Sequence, residues 1–176
     1  EDAFITYRYS ERIASGQGFT FNDGERVLGT TTPLWTLLLV LPSLLPSDLA
    51  VIYFSQLLSA LLDVGTLAMF YLLIRQELSR EEIEAPSILY IGLALLPVAA
   101  YGHSVLNGVN GMETSLTVFL MAMSLYLLTV NRITLSGVTL GLLVMARPDG
   151  IVWCAVFSLI YLLVNRSVRD TLKLAA

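Results

Sequence analysis

From Leu49 to Ile74 the chain carries a single ionisable side chain, Asp63. At about 1.5 Å of rise per residue such a segment outlasts a hydrocarbon core of about 30 Å. It reads as a secure transmembrane helix. The rest of the chain agrees, with 56% hydrophobic and 14% charged residues over 176 positions, too little charge to coat a water-soluble globule. The expected fold class is an all-α polytopic membrane protein. The net charge of −4 is modest and no Lys/Arg cluster is present, so nucleic acid is not an expected partner. Cys154 is the one cysteine; it cannot form an internal disulfide and leaves the redox compartment open. The chain opens at Glu1 without a methionine or a leader and reads as an internal piece of a longer protein.

Further apolar runs divide the remainder. One covers residues 86–106 and is broken afterwards by Asn107-Gly108 and Asn110-Gly111; another covers 114–130. The stretch from Leu135 to Val164 is apolar except at Arg147-Pro148-Asp149-Gly150. Each half of it is short for a full span. Two short helices, 135–146 and 150–164, joined by a tight turn are expected, with one interrupted helix as the alternative. The expected organisation is an extracytoplasmic loop over 1–47 with juxtamembrane helices, followed by transmembrane helices over 48–176, the first at 49–74.

If the turns alternate sides, Arg75, Arg80, Arg132, Arg166, Arg169 and Lys173 fall on one side. Arg147 falls on the other, with Arg8, Arg12 and Arg26 of the N-terminal segment. The positive-inside tendency puts the first group in the cytoplasm. Residues 1–47, the 107–113 turn and the 147–150 turn then share the outer face, where the unusual polar residues also gather.

Within the N-terminal segment, residues 2–15 set Phe4, Ile5, Ile13 and Ala14 among Arg8, Glu11 and Arg12, a helix-compatible pattern stopped by Gly16 and Gly18. Phe19-Thr20-Phe21 and Val27-Leu28 flank Asn22-Asp23-Gly24, a turn sequence suited to positive backbone torsions. Leu34 to Leu45, bounded by Pro33 and Pro46 and carrying Trp35 near its start, is too short for a confident span and reads as a helix lying at the membrane interface.

The run Glu1-Asp2-Ala3-Phe4-Ile5-Thr6-Tyr7-Arg8-Tyr9, then Gly16-Gln17-Gly18-Phe19-Thr20-Phe21-Asn22 with Gly24-Glu25, and Thr32-Pro33-Leu34-Trp35, resembles the first extracytoplasmic loop of GT-C membrane glycosyltransferases. Within that superfamily it is most similar to arabinofuranosyltransferase-like and polyprenyl-phosphate-mannose-dependent transferases. Gly111-Met112-Glu113-Thr114 and Ala146-Arg147-Pro148-Asp149-Gly150 resemble the corresponding outer turns. The resemblance implies a GT-C-like transmembrane helix bundle in a bacterial or archaeal plasma membrane, with its active site on the outer face. It implies transfer of a sugar from a polyprenyl-phosphate donor to an extracytoplasmic glycan, lipid or protein acceptor, by an enzyme of which this fragment alone would be inactive. One departure is that relatives often begin the loop with two aspartates, whereas Glu1 stands first here.

Such a transfer needs a carboxylate to take the acceptor hydroxyl's proton. Asp2 is the candidate base. Glu1 would orient it, share its proton, or bind with it a divalent cation such as Mg or Mn; the bland reading of the pair is an acidic helix start. The leaving phosphate needs cations, and Arg147 at an outer turn suits that role, against a plain pairing with Asp149 or snorkelling. Arg8 is a second phosphate candidate, against a solvated helix face. His103, Glu113 and Asp149 border the donor region, although one histidine and one glutamate do not make a metal motif. Asp63 shares a helical stripe with Gln56, Ser59 and Thr66 and is expected to point into the bundle, where its depth favours packing over catalysis. Two other classes stay open: a transporter or channel piece with Asp63 and His103 along a path, and a non-catalytic assembly subunit.

Overall fold

The structure, a computed structural model, describes residues 2–22, 29–80, 91–93, 95–96, 110–165 and 174. Among the described residues the chain is helical, without a strand. Its principal helices are α1 (Asp2–Ala14), α2 (Pro33–Ser43), α3 (Asp48–Arg80), α4 (Thr114–Thr129), α5 (Ile133–Ala146) and α6 (Gly150–Asn165). Apart from Asn22, the turn expected at residues 22–28 lies outside the described residues, as does most of the 86–106 run.

Helix ends follow local chemistry. Gly16 takes a left-handed φ of 75°, which lets Gln17 N–H reach Arg12 O at 2.9 Å and Gly16 N–H reach Ile13 O at 3.0 Å. This paired closure satisfies carbonyls at the end of α1. Asn131, with φ 58°, closes α4 in the same way: Arg132 N–H bonds Leu127 O at 2.8 Å and Asn131 N–H bonds Leu128 O at 3.1 Å. After glycine, asparagine is among the residues that best tolerate this backbone region. Pro33 opens α2, where its missing N–H costs nothing. Pro148 favours the extended backbone of Arg147, at φ −152° and ψ 139°, and so ends α5. The chain turns back there and restarts at Gly150 as α6, giving two helices rather than one interrupted helix.

α3 has 33 residues, about 50 Å of helix. Among the described residues it is the one helix long and apolar enough to cross a membrane, over Leu49–Ser79, and only 11% of its most apolar window is buried within the chain. The core helix of a soluble protein would be mostly covered. The shorter apolar helices α2, α4, α5 and α6 do not reach that length.

The helices pack as a chain of neighbours: α3 against α4, α4 against α5, α5 against α6, with α2 seated on α1, α3 and α5. Serines and threonines line these seams. Ser124 Oγ and Thr139 Oγ1 are 2.7 Å apart, and Ser136 Oγ donates to Ser124 O at 2.9 Å, so buried hydroxyls join α4 to α5. Leucine, isoleucine and valine meanwhile face outward, as at Leu57, Leu61 and Val64 of α3 and Leu159, Ile160 and Leu163 of α6. Small polar side chains let helices approach closely and bond across the seam.

At the α5–α6 turn, a Cβ on Gly150 would lie 2.8 Å from Leu143 O and 2.9 Å from its carbonyl carbon. Backbone cannot give way as a flexible side chain does. Gly150→Ala is therefore expected to destabilise the bundle by about 1–3 kcal/mol, read as a lower unfolding midpoint in detergent. Gly141→Ala, which meets nothing within 4 Å, serves as the control and should not lower it.

Candidate functional site

One end of the bundle collects the starts of α3, α4 and α6, the end of α5, and helices α1 and α2. Two contacts carry the assembly. Tyr7 of α1 places its hydroxyl 2.7 Å from Ser55 Oγ of α3. Trp35 of α2, 1% exposed, donates from Nε1 to Gly111 O at 3.1 Å. Gly111 stands just before α4 with φ 65°, and a Cβ there would collide with both the Tyr7 hydroxyl and Ser55 Oγ. Three distant stretches of chain meet at this point because glycine leaves the room. Burial pushes the Tyr7 phenol above the usual tyrosine range, with the Ser55 hydrogen bond pulling it back in part.

Two residues beyond Gly111, Glu113 sits at the N-terminal boundary of α4, buried, with no capping bond from its side chain. Its Oε1 is 3.7 Å from Arg147 Nη1. Arg147 Nε donates to Asp149 Oδ1 at 3.1 Å. The helix start and the guanidinium both offset the cost of burying the Glu113 charge. The Asp149 side chain is 57% exposed, so its pairing with Arg147 is of the weak, solvent-screened kind. Two carboxylates share one guanidinium, which stays 39% exposed.

Of the residues expected at a site, Arg147, Glu113 and Asp149 therefore stand together. Arg8 belongs to a different feature: it is exposed and lines an open cleft of about 430 Å³ with Phe4, Tyr7, Glu11 and Ile52. Asp2 opens α1, five residues before Tyr7, or about 7.5 Å along the helix axis; the described structure covers its backbone. Glu1 and His103 lie outside the described residues. No cluster of three or more histidine, cysteine or acidic side chains fits a metal ion among the described residues. The side chains of Glu1 and Asp2 are not among those that this covers.

The buried face of α1 departs from its apolar pattern. Phe4 and Ile5 are exposed, while Thr6, Tyr7, Tyr9, Ser10 and Arg12 are buried. Arg12 Nε donates to Thr20 Oγ1 at 3.0 Å, and Tyr9 accepts from Gly29 N–H at 2.8 Å. These polar anchors were not legible as such, because hydropathy ranks Phe4 above Tyr9. Trp35 and Gly111 were visible within the motifs, but nothing in one sequence says that they touch. In comparisons with known proteins, no family model, curated protein or solved structure matches the chain.

Two outcomes test this junction. Gly111→Ala should lower the unfolding midpoint more than Trp35→Phe, whose cost of about 1–3 kcal/mol comes from leaving the Gly111 carbonyl without its donor. Tyr7 bears on alkaline unfolding: an unfolded tyrosine ionises near pH 10 and the folded phenol ionises later. Its stabilising contribution is complete below the unfolded value and is lost as pH rises through the folded one. Tyr7→Phe should therefore make the alkaline loss of stability shallower, as read by circular dichroism across that range.

Proposed function

We propose that this chain is part of a multi-pass membrane glycosyltransferase of GT-C type, which moves a sugar from a polyprenyl-phosphate donor to an acceptor outside the cytoplasm. The observation that carries the reading is the convergence at one end of the bundle. There the motif-bearing helix α1 is tied through Tyr7, Ser55 and Gly111 to the turn that holds Glu113, and Glu113 meets Arg147. The sequence motifs of the proposed loop and outer turns are thus neighbours in space. The exposed leucine and valine surfaces of α3 and α6 support a lipid environment for more than α3 alone. α4, α5 and α6 are short for straight spans, and neighbouring helices or a thinned bilayer would make up the difference.

In this account the acceptor hydroxyl attacks the anomeric carbon of the donor sugar, the bond from that carbon to the phosphate oxygen breaks, and the hydroxyl proton passes to the Asp2 carboxylate. Arg147 exchanges its exposed partner Asp149 for the departing phosphate, a more highly charged and bidentate acceptor. Glu113 stays buried behind Arg147 and keeps the guanidinium in place. Arg8, in its cleft beside Phe4 and Tyr7, faces the acceptor or the sugar rather than the phosphate held at Arg147.

The second reading is a transporter, favoured by the carboxylate of Asp63 in the middle of α3. Transfer assays on the full-length protein in membranes supplied with labelled polyprenyl-phosphate sugars separate the two. Asp2→Asn should reduce turnover by about 10²–10⁴-fold, the usual share of general-base catalysis, with donor binding retained. Arg147→Ala should weaken donor affinity by about 10–100-fold, the worth of a charged hydrogen bond. Normal transfer by both variants would remove the catalytic assignment.

A further inference from the structure

Asp63 lies near the middle of α3, the one described helix with the length and apolarity of a membrane span. Ion pairs occur elsewhere among the described residues, but none involves this carboxylate. It interacts instead with Ser115 in the first turn of α4. The Ser115 hydroxyl is buried and lacks a hydrogen bond of good geometry, and so does that of Ser59, one turn before Asp63 on α3. Both residues are almost completely inaccessible, at 2% and 0% exposure.

The helix register brings the three together. Gly65 of α3 abuts Phe119 of α4, and Ser55 abuts Gly111. α3 and α4 therefore run parallel with an offset of roughly 55 residues at the 1.5 Å rise they share, which sets Ser59 level with Ser115. Two buried hydroxyls thus share one level of the seam, with the carboxylate one turn further along α3. Thr66 is satisfied by Leu62 O and Ser124 by Leu120 O; Ser158 of α6 is a third buried hydroxyl without a partner. An unsatisfied buried hydroxyl costs free energy, and two beside an uncompensated acid mark a place where something else binds.

We infer that Ser59, Asp63 and Ser115 form a binding site for a monovalent cation of sodium size within the α3–α4 seam. A single positive charge neutralises the carboxylate, whereas a divalent ion would leave a net charge in the apolar layer. The donors are hard oxygens on short arms, the class that takes hard, closed-shell ions. Protonating Asp63 would also remove its charge, but a proton follows pH, whereas a cation, which accepts lone pairs from both hydroxyls, follows the identity of the salt. Neither the hydroxyl stripe nor Asp63 takes part in the transfer chemistry proposed above, so the site stands or falls independently of that function.

The test uses the full chain in nanodiscs of neutral lipid, unfolded thermally in sodium, potassium or choline chloride at matched ionic strength and pH. The native chain should gain about 3–6 °C in midpoint in about 100 mM sodium over choline, as expected for a ligand held in the millimolar range. Asp63→Asn should abolish the gain and Ser115→Ala should diminish it. Equilibrium dialysis of the native chain with radioactive sodium gives a reading that needs no variant, so a poorly folded mutant does not obscure the result. A midpoint that is the same in all three salts, or that follows pH alone, together with no retained sodium, overturns the site.

Discussion

The contact on which the arrangement depends is the absence of a side chain at Gly111. Its bare Cα admits the Tyr7 hydroxyl and Ser55 Oγ from two other helices, and its carbonyl takes the Trp35 indole N–H. Remove that space and α1, α2, α3 and the start of α4 cannot meet at one point. Because Glu113 follows two residues later, the same contact fixes where its carboxylate stands relative to Arg147. A packing constraint with no chemistry of its own thereby positions the charged groups that have some.

The interior has the pattern expected of the proposed membrane bundle. Hydroxyls that would face water in a soluble protein are turned inward, where Ser124, Ser136 and Thr139 bond one another and the backbone of α4 and α5. Apolar side chains that would form a soluble core are turned outward. Hydrocarbon gives no hydrophobic reason for helices to associate, so close approach and hydrogen bonds must supply it. Around Ser59, Asp63 and Ser115 two buried hydroxyls without a partner lie near a carboxylate.

Much of the fold was legible one element at a time. Gly16 as the stop of α1, Pro33 as the start of α2 and the break at Arg147-Pro148 each follow from local backbone physics that acts within a few residues; α3 was legible over its apolar body, 49–74, and continues through the polar stretch to Arg80. Asn131, which closes α4, carries a weaker signal, because asparagine terminates helices less often than glycine. The buried face of α1 was not legible, since Tyr9 and Arg12 are buried through specific hydrogen bonds to Gly29 and Thr20 rather than through hydropathy. The candidate site was legible as a set of residue types on one expected face. Which of them touch was not, because Glu113 and Arg147 are brought together by helix register, a property of the packed bundle and not of either turn.

The proposed topology puts the start of α1 and the α5–α6 turn on one face of the membrane, opposite the α4–α5 turn. Single cysteines introduced by Arg8→Cys, Asp149→Cys and Asn131→Cys in a Cys154→Ser background place each of these exposed positions relative to a membrane-impermeant maleimide added outside intact cells. The account predicts labelling at positions 8 and 149 without permeabilisation and at position 131 only after it. Labelling of 8 and 149 from opposite sides would contradict it.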